Sequence, residues 1–337
     1  MGLYVRIRKA NGLLYDVFML KYKHKKYKEG IILMANKVMI VGTGNVGMSF
    51  GYALVHQRTN VNELILVDIN KEDAEGEAID LRDTLAVAPA YLKIRSGEYS
   101  DAGDCDIIVI TAGIPQKPGE SRMDLLKKNA AIFKDMIGQI MAAGFNGIFV
   151  VASNPMDVLT YLTWRYSGLP AEHVIGSGTV LDSARLRYRI AQRLHVHPKA
   201  IHAYQVGEHG DSEFALWSCA SVGGQDVRDL IDAQARAEIE DYARKEAYTI
   251  IEKKGATYYG IGSCLATIVN CILNDENRIL PVSNYDEFSG TYNGFPAVLG
   301  ANGVVRRIGL RINEEEQIKL NASIQVLKDA IKEAESE

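Results

Sequence analysis

The 337-residue sequence predicts an α/β fold, a doubly wound parallel sheet followed by an α+β portion with antiparallel hairpins. Three observations carry that expectation. A short apolar run at residues 37–41 leads straight into the glycine-rich loop Gly42-Thr43-Gly44-Asn45-Val46-Gly47. Strand-like apolar runs then alternate with helix-like stretches as far as Ser153-Asn154-Pro155. In the second half the turn dipeptides Gly223-Gly224 and Asn302-Gly303 separate short runs, the pattern of hairpins rather than of crossover helices.

Residues 37–41, Lys-Val-Met-Ile-Val, are apolar on both faces, as a strand covered by helices on each side requires. The glycine loop opens a helix over 45–57. A second strand at 63–68 ends on Asp68, and a helix over 71–85 follows it. A short strand at 92–95 and a stronger one at 107–111 precede a helix over 123–142, and a strand at 147–152 closes the alternation. Further on, the spacing predicts a long helix over 179–194, a hairpin at Gly223-Gly224 and another within 294–311. The last helix is opened by Asn313 with Glu316 three residues on, a capping box that satisfies backbone donors at a helix start. The expected organisation is therefore a basic extension over 1–33, a Rossmann domain for a dinucleotide over 34–176, and an α+β substrate domain over 177–337.

Composition excludes several classes. At 47% hydrophobic and 24% charged residues the chain buries a large core and is neither fibrous nor disordered. Residues 1–33 hold eight Lys or Arg against Asp16 and Glu29, a balance of +6, which leaves −10 for the rest of a chain whose net charge is −4. An acidic body disfavours nucleic acid as a partner. No apolar run reaches the ~18–20 residues of a membrane span, so a soluble protein is expected. The four cysteines, Cys105, Cys219, Cys264 and Cys271, form no C-x-x-C pair, which fits reduced thiols in the cytoplasm and argues against a zinc site.

Gly42, Gly44 and Gly47 fit G-x-G-x-x-G, in which the first glycine permits a tight turn, the second lets a pyrophosphate approach, and the third allows close helix–strand packing. The spacing alone is weak, but here it follows a strand and opens a helix. Asp68 ends the next strand 21 residues after Gly47, where a carboxylate binds ribose hydroxyls and repels a 2′-phosphate. NAD is therefore favoured over NADP. Thr111-Ala112-Gly113, ending a later strand, offers a second close backbone approach.

Gly207-Glu208-His209-Gly210-Asp211 places a histidine between carboxylates and glycines, and His209 is the candidate acid and base. Asp182 is its candidate partner, because a carboxylate on one ring nitrogen fixes the tautomer and leaves the other nitrogen for chemistry. Asp182 also suits a helix N-cap, a role open to Thr179 or Ser183 as well. Arg185, three residues past Asp182, shares its helix face and is placed to fork onto a substrate carboxylate, whereas Arg187 faces elsewhere. The stretch Gln116-Lys117-Pro118-Gly119-Glu120-Ser121-Arg122 reads as a loop that either stays solvated or closes, bringing Arg122 to polarise a carbonyl. These residues together point to a nicotinamide-dependent 2-hydroxyacid dehydrogenase.

The chain resembles the bacterial-type L-lactate dehydrogenases of the lactate/malate dehydrogenase family. The likeness runs from about Lys37 to the C-terminal helix and rests on Gly42–Gly47, 112–120, Ser153-Asn154-Pro155, 178–185, Gly207–Asp211 and 254–259 in that order. It implies that His209 is the proton donor and acceptor, Asp182 its partner, Arg185 the carboxylate clamp and Arg122 the carbonyl-polarising residue. It further implies that Asn154 and Thr257 line the substrate site, and that Val46, Asp68, Tyr99, Gly113 and Asn154 contact NAD. Arg187 and His202 resemble the pair that binds fructose 1,6-bisphosphate across a subunit interface of an allosteric homotetramer. The chain departs from many relatives in having Asp73 near the adenosine and in a short segment between Gln225 and Ala247. The reaction implied is the reversible reduction of pyruvate to L-lactate of fermentative glycolysis. Malate or another 2-hydroxyacid, and a non-catalytic NAD-binding scaffold, are the alternatives.

Substrate choice turns on Gln116, since malate dehydrogenases place an arginine there to pair with a second carboxylate. Gln116→Arg is expected to raise kcat/KM for oxaloacetate relative to pyruvate, and an unchanged ratio would show that Gln116 does not read the substrate. A second expectation is that translation starts at Met34, because Lys28-Glu29-Gly30 is encodable as a purine-rich ribosome-binding sequence three codons upstream. Peptides from residues 1–33 in the native protein, found by mass spectrometry, would reject that start and favour an oligomer-bracing arm.

Overall fold

The computed structural model describes residues 36–114 and 122–335, apart from the side chains of residues 122–124. Its first half alternates as the apolar runs require: β1 (Asn36–Val41), α1 (Asn45–Val55), β2 (Val61–Val67), α2 (Lys71–Asp83), β3 (Lys93–Ser96), β4 (Ile107–Ile110), α3 (Arg122–Ala142) and β5 (Ile148–Val151). Three elements that hydrophobic spacing had not marked complete the sheet region: α4 (Met156–Ser167), β6 (Val174–Gly176) and the hairpin of Ser283–Asp286 with Thr291–Gly294. The expected helix over 179–194 is α5 (Val180–Leu194).

β1 to β6 pair in parallel in the order β3-β2-β1-β4-β5-β6, and Ser283–Asp286 then Thr291–Gly294 continue the sheet antiparallel beyond β6. The order reverses between β1 and β4, so the loops after these two strands open a crevice at the C-terminal edge, where α/β sheets bind ligands. The antiparallel extension also means that the second half of the chain does not keep to its own sheet. The 294–311 stretch resolves into a strand end at Gly294 and a separate hairpin, Ala297–Gly300 with Gly303–Arg307. The Gly223-Gly224 hairpin is present, with φ of +56° and +84°, a turn that glycine alone adopts without strain.

The parallel strands are apolar throughout because both faces are covered. Val38, Ile40, Leu64, Leu66, Val109 and Val150 point into one core with α1 and the helix Tyr259–Leu273. Met39, Val41, Ile65, Val67, Ile110 and Val151 point into the other with α3 and α4. Tyr259–Leu273 lies so close to α1 that a Cβ on Gly262 would sit 2.6 Å from the Ser49 backbone. That packing positions Thr257, two residues ahead of the helix.

The closing helix, Glu314–Glu335, begins with the expected box: Glu316 N–H donates to Asn313 Oδ1 at 2.8 Å and Asn313 N–H to Glu316 Oε2 at 3.1 Å. Glu316 also accepts from Ser218 N–H at 2.9 Å, so the cap fastens this helix to the body. Among the described residues no helix is long and apolar enough to cross a membrane.

Candidate active site

The glycine loop takes the form its spacing requires. Gly42 has φ +101°, and a Cβ there would lie 2.4 Å from Ala112 N; at Gly47 a Cβ would lie 2.0 Å from Gly42 O. A Cβ on Gly44 would meet nothing within 4 Å, so this glycine borders open space. The two crowded glycines bring α1 against the tips of β1 and β4, and the open one leaves its backbone free for a phosphate to approach. Asp68 stands just past β2, its Oδ2 accepting from Thr43 N–H at 2.8 Å and its Oδ1 from Asn70 N–H at 3.0 Å. A carboxylate is thus held beside the loop. Tyr99 is half-buried, its hydroxyl pushed above its ordinary pKa by burial and then by the charges of Asp135 and Asp68. Val46 is half-buried in the first turn of α1, and Gly113 and Asn154 are exposed just past β4 and β5. These residues fit a dinucleotide.

His209, Asp182 and Arg185 come together. Asp182 lies in the first turn of α5 and is 2% exposed. Its Oδ2 is 2.8 Å from His209 Nδ1, and its Oδ1 accepts from Arg185 Nη1 at 2.9 Å. The N-cap position of α5 belongs to Thr179, whose hydroxyl donates instead to Gln205 O at 2.6 Å. Asp182 is therefore engaged by side chains rather than spent on a cap. Arg185 Nε lies 3.9 Å from Glu246 Oε2, on the 22-residue helix Ala233–Lys254 that occupies most of the segment between Gln225 and Ala247.

The histidine is held from behind by contacts that sequence spacing did not reveal. Its backbone N–H donates to Asp157 Oδ2 at 2.7 Å, and Ser283 Oγ donates to Asp157 Oδ1. Asp157 sits in the first turn of α4 and is 2% exposed, and burial pushes its carboxyl up to about 6 against the pull of these hydrogen bonds. Gly207, φ +97°, exchanges backbone hydrogen bonds of 2.9 and 2.8 Å with Gly294, tying the histidine loop to the sheet's antiparallel hairpin. Glu213, four residues past His209, is also buried against the pair. Proximity in sequence was the one available sign of Glu213, and Asp157 had the look of an ordinary acid in a first helical turn.

Burial works against charging the His209 ring, but the charge and hydrogen bond of Asp182 outweigh it, and the imidazole is pushed up to about 10. Burial would raise Asp182, yet His209 and Arg185 hold it below the usual carboxylate range. Only 28% of the His209 side chain is exposed, and the nitrogen away from Asp182 is left for a substrate. The arrangement is a proton donor beside an arginine anchored for a carboxylate.

Gln116 lies outside the described residues, as does the side chain of Arg122, whose backbone starts α3. Thr257 is half-buried ahead of Tyr259–Leu273. Arg187 is not part of the cluster: it is half-buried, its Nε donates to Ser183 O at 3.1 Å, and among the described residues it makes no ion pair. His202 is exposed on the short strand Ile201–His202.

Two family models match the chain, the lactate/malate dehydrogenase NAD-binding domain over residues 36–176 and its α/β C-terminal domain over 179–337. L-lactate dehydrogenase 1 of Bacillus cereus is 48% identical over 314 residues, covering 90% of this chain and 98% of its own. A crystal structure of a lactate dehydrogenase from a Medee basin deep-sea metagenome library superposes with a TM-score of 0.86 at 48% identity, over 89% of this chain and 98% of that one. The minor L-lactate dehydrogenase of Enterococcus mundtii in a ligand-bound form gives 0.86 at 44% identity, over 90% and 100%.

A pH dependence of stability follows from the pair. The His209 imidazole is raised from 6.5 to about 10 on folding, so its stabilisation is complete below 6.5 and is lost as pH rises through about 10. The Tm of the cofactor-free protein is expected to fall across that window, with a much flatter course in Asp182→Asn. Parallel curves for the two proteins would show that the pair contributes nothing to stability.

Proposed function

The chain belongs to the lactate/malate dehydrogenase family, and from that premise we propose how its residues carry out the NAD-dependent, reversible reduction of pyruvate to L-lactate. The observation that carries the reading is the 2.8 Å contact of His209 Nδ1 with buried Asp182, joined to Arg185 on the same carboxylate. Gly42, Gly44, Val46, Gly47, Asp68, Tyr99, Gly113 and Asn154 would hold NADH, which when bound would supply the hydride. His209 gives its proton to the oxygen of the keto group as that oxygen becomes an alcohol, and takes it back in the reverse direction. Asp182 keeps the donating nitrogen turned toward the substrate and stabilises the imidazolium before transfer. Arg185 forks onto the pyruvate carboxylate, which its anchorage by Asp182 pre-aligns. Arg122 stabilises the charge that builds on oxygen, while Asn154 and Thr257 line the pocket. Gln116 leaves a second carboxylate unpaired, so pyruvate is preferred to oxaloacetate.

The chain divides near residue 176: 34–176 hold the dinucleotide and lend Gln116, Arg122 and Asn154 to the substrate, and 177–337 supply His209, Asp182, Arg185 and Thr257. The enzyme acts in the cytoplasm, consistent with its four free thiols. It assembles as a homotetramer in which Arg187 and His202 take fructose 1,6-bisphosphate between subunits, an arrangement that suits the absence of an ion-pair partner for Arg187 among the described residues and the exposure of His202.

His209→Asn is expected to abolish pyruvate reduction while NADH binding, read by fluorescence titration, persists, since the cofactor residues lie on other elements. Turnover within tenfold of wild type would remove His209 as the acid. Fructose 1,6-bisphosphate is expected to lower the apparent KM for pyruvate, and to do so far less in Arg187→Gln. Equal responses in the two proteins, or none in either, would remove the regulatory site and leave the catalytic one standing.

A further inference from the structure

Glu213 has no part in the reaction as described, yet it shares the cluster that performs it. Its side chain is 4% exposed, and among the described residues its Oε2 has no hydrogen-bond partner. One carboxyl oxygen of Glu213, one of Asp182 and a ring nitrogen of His209 all lie within 4.8 Å of one another. Two carboxylates so close and so far from water repel each other, which favours a proton on one of them.

The surroundings decide which. Asp182 already accepts from Arg185 at 2.9 Å and faces His209 at 2.8 Å, so its charge is supported on both oxygens. Glu246, 3.9 Å from Arg185 Nε, draws on the same cation, and Asp157 faces His209 from behind through its backbone N–H. Among the described residues four carboxyls, Asp157, Asp182, Glu213 and Glu246, thus face two cations, His209 and Arg185, and Glu213 is the buried one with an oxygen left unpartnered. An ionised carboxylate oxygen offers two acceptor sites, so Asp182 retains room for another donor.

We propose that Glu213 is held as a neutral carboxylic acid and acts as a positioning residue, donating its proton as a hydrogen bond to Asp182 and so loosening the hold of Asp182 on the His209 imidazolium. The proposal rests on the reading of His209 as the proton donor. Burial first, and then the charge of Asp182, push the Glu213 carboxyl well above the usual carboxylate range, against the pull of His209 and Arg185. The functional consequence is direct. A histidine held by Asp182 at about 10 surrenders its proton reluctantly near neutral pH, and a donor that shares Asp182 brings the imidazolium back toward a working acid strength.

The test compares wild type, Glu213→Gln, which keeps an N–H donor without charge, and Glu213→Leu, which removes the donor. The pH profile of kcat/KM for pyruvate at saturating NADH gives the apparent pKa of the acid, and infrared spectra at mildly alkaline pH show any carboxyl that stays protonated. Glu213→Gln is expected to keep the inflection of wild type and Glu213→Leu to move it upward by about one pH unit. The carbonyl band of a protonated carboxyl is expected in wild type and absent from both variants. A downward move of about one unit in Glu213→Gln would mean that Glu213 is a second anion and would overturn the proposal. A Glu213→Leu profile that coincides with wild type, or a carbonyl band shared by all three, would overturn it as well. The infrared comparison of wild type with Glu213→Gln needs neither turnover nor a folded Glu213→Leu. Failure of wild type to reduce pyruvate would therefore count against the reading of the activity, while the band still decides the state of Glu213.

Discussion

A carboxylate 2% exposed at the start of a helix is costly unless its charge is matched, and Asp182 is matched by Arg185 on one oxygen and His209 on the other. Much of the site can be understood as the means of bringing those partners to it. Arg185 arrives through helical geometry, one turn along the same face. His209 has to be delivered from another part of the chain, and it arrives by its backbone: its N–H is taken by Asp157 of α4, and Gly207 two residues earlier is bridged to Gly294. The same match that makes the burial tolerable charges the imidazole, so stability and acid strength are two readings of one interaction.

The parallel sheet supplies the second requirement, a fixed relation between cofactor and acid. Reversal of strand order between β1 and β4 opens the crevice, and the crowded glycines at 42 and 47 keep its floor at backbone thickness. Ser283, which donates to Asp157, lies on the strand that pairs with β6. The element that carries the histidine's support is therefore hydrogen-bonded into the sheet that carries the dinucleotide loop.

What could be read from sequence divides along a physical line. The glycine loop, Asp68 and the Asp182–Arg185 pair are local patterns, with spacing that a strand, a turn or a single helical face converts directly into geometry. Asp157 and Ser283 act on His209 across 52 and 126 residues of chain respectively, counting Asp157 to His209 and Ser283 to Asp157, and no local pattern announces such contacts. The strands Ser283–Asp286 and Thr291–Gly294 are hard to read because, Tyr292 apart, Ser, Asn, Thr and Gly occupy their buried positions. The helix Ala233–Lys254 is hard to read because it buries little apolar surface, Ala243 being its one fully buried residue. β6 is only three residues long and α4 mixes buried Asp157, Thr160 and Thr163 with its apolar face, so apolar burial too is illegible where it is short or interrupted.

The most direct test of the account is a parallel measurement of NADH oxidation by the purified protein with pyruvate, oxaloacetate and 2-oxoisocaproate. The expected result is a kcat/KM for pyruvate well above that for either competitor, with a proton-donating group of raised pKa governing its pH profile. Preference for oxaloacetate, or for the bulkier acid, would contradict the substrate assignment, and no oxidation with any of the three would contradict the catalytic reading of His209 and Asp182.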